Sequence, residues 1–524
     1  MAAIPARWKA LTAGSHLSRF ETIWQLPPLR RKDYTPLDEI PKIHARARQA
    51  FKSGKTKSIA FRKEQIAQVG YLLKDNEERF KDALKQDLGR PFLETEFFDF
   101  APVYLDVAKA YNAVEKWAAP KKAEFDLSFW AMGPKYRCEP KGVVLIISPF
   151  NGPVVLTLSP LVRWRDCGGN AAVIKPSEHS PATSALFAEL IPQYLDPDLY
   201  HVIQGAIPET TKVLEFRWDH ILYIGNARVA RIISAAASKH LTPLTLELGG
   251  KNPVVIDPKT DLKLARSGYS GVDVSICVCP EYVLVPAHLQ DAFVEAVKEV
   301  WAEKSDSLGR IVSEAHTQRI KNLIDNTKGT VVLGGDADVS KKYIAPTLVK
   351  DVPGDDSLMS EEIFGPVLSV IPVKDVDEAI EFINERDHPL VVYVFSQDKA
   401  FQEKGNGSAV ANDTMIIVGV PGLPMGGIGE SGYGYYTGQD MFEQFTHKRA
   451  CIDNPSWVDK VGFGCRYPPY KSLKPLQALF PSLPPRPGKR GGSSKRWAFW
   501  LSAAALAVIA GSLTQNGGIK LISL

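Results

Sequence analysis

The chain has 524 residues, more than one ordinary core organises, so two large α/β units with appendages are expected. It is 45% hydrophobic and 23% charged, with a net charge of +4 spread thinly, which marks a globular protein without an electrostatic footprint for nucleic acid. Six scattered cysteines (Cys138, Cys167, Cys277, Cys279, Cys451 and Cys465) are too few for a disulfide-stapled secreted domain. None forms a second pair at zinc-ligand spacing, so reduced thiols and no metal are expected.

Residues 1–38 are mixed and proline-punctuated, and read as an N-terminal extension without an apolar run of signal-peptide length. From Ile40 to Lys116, apolar residues recur at helical spacing (Ile59, Phe61, Ile66, Val69, Leu72, Leu73), which predicts consecutive amphipathic helices. Residues 118–137 are extended and aromatic, and read as a small bridging hairpin. Then β-branched runs alternate with helical patterns: GVVLIIS from Gly142, AAVIK from Ala171, HILYIG from His220, followed by a helical stretch from Val229. This βαβ rhythm predicts a Rossmann-like parallel sheet over 39–245, a cofactor domain of the kind that binds NAD(P). A second alternating series over 246–440 includes LTLEL from Leu244, VVID from Val254, YVLVP from Tyr282, Val331 to Leu333 and VYVF from Val392. It is assigned to a second, catalytic α/β domain, with ligands meeting in a cleft between the two.

Residues 441–465 read as another bridging segment and 466–496 as a linker rich in proline and basic residues. Residues 497–513 follow, seventeen uncharged residues entered through Trp497 and Trp500. As a helix they span ~25 Å, slightly under a hydrocarbon core. The expectation is a transmembrane tail anchor; the alternative is a terminal helix packed on the protein's own core. Basic residues upstream place the catalytic part in the cytosol, and the short span suits a thin membrane such as the endoplasmic reticulum.

Two stretches carry the chemistry. TLELGGK (from Thr245) offers the carboxylate of Glu247 on a strand that breaks into a Gly-Gly turn, and CVCPEY (from Cys277) offers a thiol just ahead of a proline. A carboxylate that moves protons beside a soft nucleophile suits covalent capture of a carbonyl and its release by water. Asn151 sits between two prolines at a strand end, where it is either an oxyanion donor or a turn residue. Lys175 and Glu178 leave another strand end, where they either hold ribose hydroxyls or phosphate or are solvated. Gly225 either lets a backbone approach phosphate or ends its strand; no G-x-G-x-x-G is present.

The motifs SPFN (from Ser148), VIKPSE (from Val173), LELGGK (from Leu246), EEIFGP (from Glu361) and PMGGIGESG (from Pro424) resemble, in order and rough spacing, the aldehyde dehydrogenase superfamily over about Ile40 to Cys451. With the apolar C-terminal run and RYPP from Arg466, the chain is most similar to membrane-anchored fatty aldehyde dehydrogenases (class 3 type) and their fungal apocarotenal-oxidising relatives. The resemblance implies that Cys277 attacks the aldehyde carbon, with Asn151 and the Cys277 N–H on the oxyanion. Hydride then passes to NAD, or alternatively NADP, and Glu247 activates the water that releases the acid. It further implies that Lys175 and Glu178 contact the adenosine ribose, Glu362 the nicotinamide ribose, Phe364 the nicotinamide, and Gly225 and Asn226 the pyrophosphate. A homodimer is implied too.

Three stretches depart from the family pattern. VDVSIC (Val272 to Cys277) replaces Asn-x-Gly-Gln-x-Cys, within a short interval at 265–276; Arg163, Trp164, Arg165 and Asp166 load 163–168 with charge and bulk; and a helix is truncated at 400–409. Misjoined segments in the translated sequence are favoured over degraded activity, because the flanking motifs are intact. Cys279 is the fallback nucleophile, and a buried structural thiol is the plain alternative for either cysteine. The leading reading is NAD(P)-dependent oxidation of a long-chain or otherwise hydrophobic aldehyde at a membrane. An apocarotenal is the rival substrate, and a catalytically impaired membrane-tethered binding protein is the rival class. An acyl transferase is disfavoured by Glu247, which would drain a thioester.

Overall fold

The computed structural model describes residues 33–162, 169–262, 275–301, 309–399, 408–420, 422–470, 472 and 474. The departing stretches at 163–168, 265–274 and 400–407 therefore lie outside the described residues, as do residues 1–32 and the apolar run 497–513. Among the described residues no helix is long and apolar enough to cross a membrane, and no group of His, Cys, Asp or Glu is arranged to hold a metal ion.

The helical spacing seen from Ile40 onward resolves into helices Ile40–Lys52, Ile59–Asp75, Glu77–Leu88 and Ala101–Ala118. Ser58 starts the second by accepting the Phe61 N–H, and Ile66, Val69, Leu72 and Leu73 are its buried stripe. Gly89 ends the third in the left-handed conformation (φ 61°), which glycine adopts without strain.

Two sheets follow. The first has six strands in the spatial order Gly432–Tyr433, Leu244–Leu248, His220–Gly225, Val143–Ile147, Ala171–Lys175, Tyr200–Val202. All are parallel except the short Gly432–Tyr433 strand, which runs antiparallel to Leu244–Leu248. From Val143–Ile147 the chain steps outward to one side, then returns to begin again at His220–Gly225 on the other. The order thus reverses between these two strands, and ligands of such sheets bind beyond the carboxyl ends at that reversal. The loop carrying Asn151 and the turn at Gly225 and Asn226 leave those two ends.

The second sheet has seven strands, in the order Thr330–Leu333, Thr347–Lys350, Val367–Val373, Pro280–Pro286, Asn252–Ile256, Val391–Phe395, Ser408–Ala411. Only Thr330–Leu333 is antiparallel to its neighbour. Its central strands are buried along their whole length, as continuous apolar runs should be in a parallel sheet covered on both faces.

Three residues, Gly249 to Lys251, join the Leu244–Leu248 strand of the first sheet to the Asn252–Ile256 strand of the second. The carboxyl edge of one sheet is thereby tied to the amino edge of the other. Glu247 sits at the first edge and Cys277, just before Pro280–Pro286, at the second.

Farther along, Lys135–Pro140 pairs antiparallel with Thr446–Cys451, more than 300 residues away in sequence, from Thr446↔Pro140 to Cys451↔Lys135. A second small unit consists of residues 122–134 and the described residues from 452 on. There the Ala123 N–H bonds to the Pro134 carbonyl (3.0 Å), and Met132, Val458 and Phe463 bury together.

Candidate active site

Glu247 is 5% exposed on the Leu244–Leu248 strand, opposite Gly432. Its Oε1 is buried without a hydrogen-bond partner among the described residues. Burial alone pushes its carboxyl well above the usual carboxylate range. A buried, unpaired polar atom is destabilising and therefore informative, because it marks a group kept ready for something not yet bound. Gly432 must be glycine here: its φ is +119°, and a Cβ would lie 2.0 Å from the Leu246 carbonyl oxygen.

Cys277 lies in a turn closed by the Cys279 N–H on the Ile276 carbonyl (2.8 Å). Asn252, 1% exposed, fixes this turn: its amide nitrogen donates to the carbonyls of Cys277 (2.8 Å) and Cys279 (3.0 Å), and its oxygen accepts the Val391 N–H (3.0 Å). The Tyr393 hydroxyl donates to the Val278 carbonyl between them (2.5 Å). Cys277 keeps part of its surface open, yet its surroundings desolvate the thiol and push it up to about 12. Burial is the main cause, followed by the negative charges of Glu362 and Glu247; the N–H groups of Cys277 and Val278 oppose them. The sulfur thus responds to both carboxylates and to two backbone N–H groups. Cys279 is instead a core thiol, buried among Val254, Val283 and Tyr393.

Asn151 is buried as well (7% exposed), and its loop is held from two sides. Arg90 donates to the Asn151 carbonyl (2.6 Å) and forms a fully buried ion pair with Asp99. Asp99 in turn accepts the N–H groups of Val154 (3.1 Å) and Val155 (3.0 Å). The sequence reading missed both Arg90 and Asp99, which act across dozens of residues and carry no local signal.

Lys175 ends its strand 2% exposed, with Nζ on the Pro176 carbonyl (2.7 Å) and 3.4 Å from Glu178. Burial lowers its pKa, against the pull of Glu178 and Glu209. Tyr34, within the expected N-terminal extension, also reaches this corner. Burial raises its phenol and the charges of Glu178 and Glu209 add to that, while neighbouring Thr35 bonds to Gln204. At the strand reversal, a Cβ on Gly225 would lie 2.3 Å from the Tyr223 hydroxyl. Asn226 caps the twelve-residue helix Ala227–Ser238 by accepting the Val229 N–H (2.9 Å).

Glu362 reaches the Gly-Gly turn, where a Cβ on Gly249 would sit 2.2 Å from its carboxylate. Its pKa is raised by burial and then by Glu281. Phe364 adopts φ 56° and meets Phe150 edge-on, ring centroids 5.8 Å apart; His179 and His316 complete this aromatic cluster.

A dinucleotide fits these residues. An ammonium and a carboxylate stand at one strand end for a ribose, and a capped helix opens at the strand reversal for a diphosphate. A second carboxylate, Glu362, lies across a turn that no side chain may fill.

The model of the family described as "Aldehyde dehydrogenase family" matches residues 32–451. A dog protein named "Aldehyde dehydrogenase, dimeric NADP-preferring" is 41% identical over 449 residues, 83% of this chain and 98% of its own length. A mouse protein named "Aldehyde dehydrogenase family 3 member A2" is 38% identical over 452 residues, covering 83% and 92%. Among solved structures, a Staphylococcus aureus AldH in a substrate-bound state superposes with a TM-score of 0.80 at 33% identity, covering 84% of this chain and 99% of that one.

Proposed function

The chain belongs to the aldehyde dehydrogenase family, and from that premise we propose that it oxidises long-chain or otherwise hydrophobic aldehydes to carboxylic acids through a covalent adduct on Cys277. It is an NAD(P)-dependent aldehyde dehydrogenase. The observation that carries the mechanism is the buried Glu247 carboxyl, whose Oε1 has no hydrogen-bond partner among the described residues and whose charge acts on the Cys277 thiol.

Burial pushes the thiol up to about 12, so its proton leaves as the sulfur attacks, passing to solvent on the side where Cys277 keeps part of its surface open. The Cys277 sulfur bonds to the carbonyl carbon, and the oxygen's new charge is met by the Asn151 amide and the Cys277 N–H. NAD(P), when bound, would supply the hydride acceptor needed to oxidise the thiohemiacetal to a thioester. Lys175, Glu178 and Glu362 would hold its two riboses, the helix start after Gly225 and Asn226 would receive its diphosphate, and Phe364 would pack beside its nicotinamide. The Glu247 carboxylate then removes a proton from water, which attacks the thioester carbon; the C–S bond breaks, the acid departs, and the leaving Cys277 thiolate takes the proton back from Glu247.

The hydrophobic substrate is inferred from the seventeen uncharged residues at 497–513, read as a membrane anchor. A tethered site meets aldehydes that partition into lipid, and the endoplasmic reticulum is the membrane proposed. The dog relative's name supports a homodimer and leaves NADP beside NAD as cofactor. Full-length protein should reduce NAD or NADP with hexadecanal at far lower concentration than with acetaldehyde. Equal kcat/KM for both aldehydes would remove the hydrophobic-substrate claim.

A further inference from the structure

Four residues after Cys277, on the same stretch of chain, lies a carboxylate to which the reaction assigns no role. Glu281 is 5% exposed at the start of the Pro280–Pro286 strand. Its Oε2 pairs with the Lys251 ammonium at 2.7 Å. Its Oε1 accepts two successive backbone N–H groups, from Ile363 (2.7 Å) and Phe364 (3.2 Å). Lys251 also donates to the Glu361 carbonyl (3.2 Å), and Arg319 donates to the carbonyls of Glu362 (3.1 Å) and Ile363 (2.6 Å). Every peptide group from Glu361 to Phe364 is therefore engaged by a charged side chain. Phe364 itself is held at φ 56°, a region that residues with a side chain seldom enter unless their surroundings impose it.

We propose that Glu281, anchored by Lys251, is a positioning residue that fixes the Glu362–Phe364 turn for cofactor binding and couples it rigidly to Cys277. The inference rests on the reading of Glu362 and Phe364 as cofactor contacts. Its physical basis is that a charged acceptor with two N–H donors and an ion-paired lysine leaves the turn one arrangement. Without that acceptor, two buried N–H groups lose their partner and Phe364 is free to leave its unfavourable φ. The binding surface would then have to be ordered each time a cofactor arrives, which weakens affinity without removing any contact to the cofactor itself.

The test uses full-length protein and the fluorescence of NADH on binding, with no aldehyde present, in the wild type, Glu281→Gln and Glu281→Asp. Gln removes the charge and the pairing with Lys251, so the NADH dissociation constant should rise about tenfold or more with one site per chain retained. Asp keeps the charge but shortens the reach, and should give a smaller rise. A dissociation constant within about twofold of wild type, or fewer sites at unaltered affinity as expected of a purely structural residue, overturns the proposal. If Glu281→Gln does not fold, Glu281→Asp decides by the same two readouts. Wild-type protein that binds no NADH would overturn the cofactor reading of the site and this inference with it; wild-type binding that the substitutions leave unchanged overturns this inference alone.

Discussion

Glu247 and Glu281 are equally buried, each 5% exposed, yet their surroundings are opposite. Glu281, at the amino edge of the second sheet, is saturated by an ammonium and two N–H groups. Glu247, at the carboxyl edge of the first, has an oxygen with no partner among the described residues and a carboxyl driven strongly toward its neutral form. Burial does not separate the two; partners do. A saturated carboxylate holds structure in place, whereas an unpaired one can accept and release a proton.

The largest expected break in this contrast comes from Glu247→Gln. Turnover should fall about 10²- to 10⁴-fold in steady-state NADH formation, the range for loss of a positioned base. Stability should move the other way with pH. The folded state holds the Glu247 proton above the usual carboxylate pKa, so as pH rises through that elevated value the wild type is destabilised by ionisation and the Gln variant is not. The melting temperature of the variant relative to wild type should therefore increase with pH, and a constant difference would contradict the assignment. At Glu281 the reverse applies. Lys251→Met leaves that carboxylate buried without its cation and should destabilise the protein by about 3–5 kcal/mol, read as a lowered midpoint in urea.

Smaller effects sharpen the picture around the nucleophile. Asn252→Ala orphans the carbonyls of Cys277 and Cys279 and the Val391 N–H, and should cost about 2–3 kcal/mol in urea unfolding while slowing alkylation of Cys277 by iodoacetamide. Tyr393→Phe removes the hydroxyl's bond to the Val278 carbonyl and its acceptance of the Met415 N–H (3.3 Å), and should cost about 1–2 kcal/mol, with alkylation almost unchanged.

The contrast also explains how far the sequence could be read. Runs such as Val143–Ile147, Ala171–Lys175 and Val391–Phe395 are β-branched and buried throughout, and they form strands where that pattern placed them. The strand Val367–Val373 was not recognised, because Ser369 and Pro372 interrupt its apolar run; Tyr200–Val202 and Ser408–Ala411 are too short to establish a period. Glu247, Cys277 and Asn151 announce themselves as reactive groups in unusual local settings. Arg90, Asp99, Asn252 and Arg319 do not, since each works through a partner 9 to 139 residues away along the chain. Glu281 was visible in the stretch CVCPEY, but its role depends on a turn 82 residues farther on.

Trapping the acyl group in Glu247→Gln tests the central claim most directly. With hydrolysis slowed, full-length variant mixed with hexadecanal and NAD or NADP should release up to one NADH per chain and gain the mass of a hexadecanoyl group on the peptide containing Cys277, removable by hydroxylamine. An NADH burst with that peptide unmodified, or with the acyl group on Cys279, would contradict Cys277 as the nucleophile.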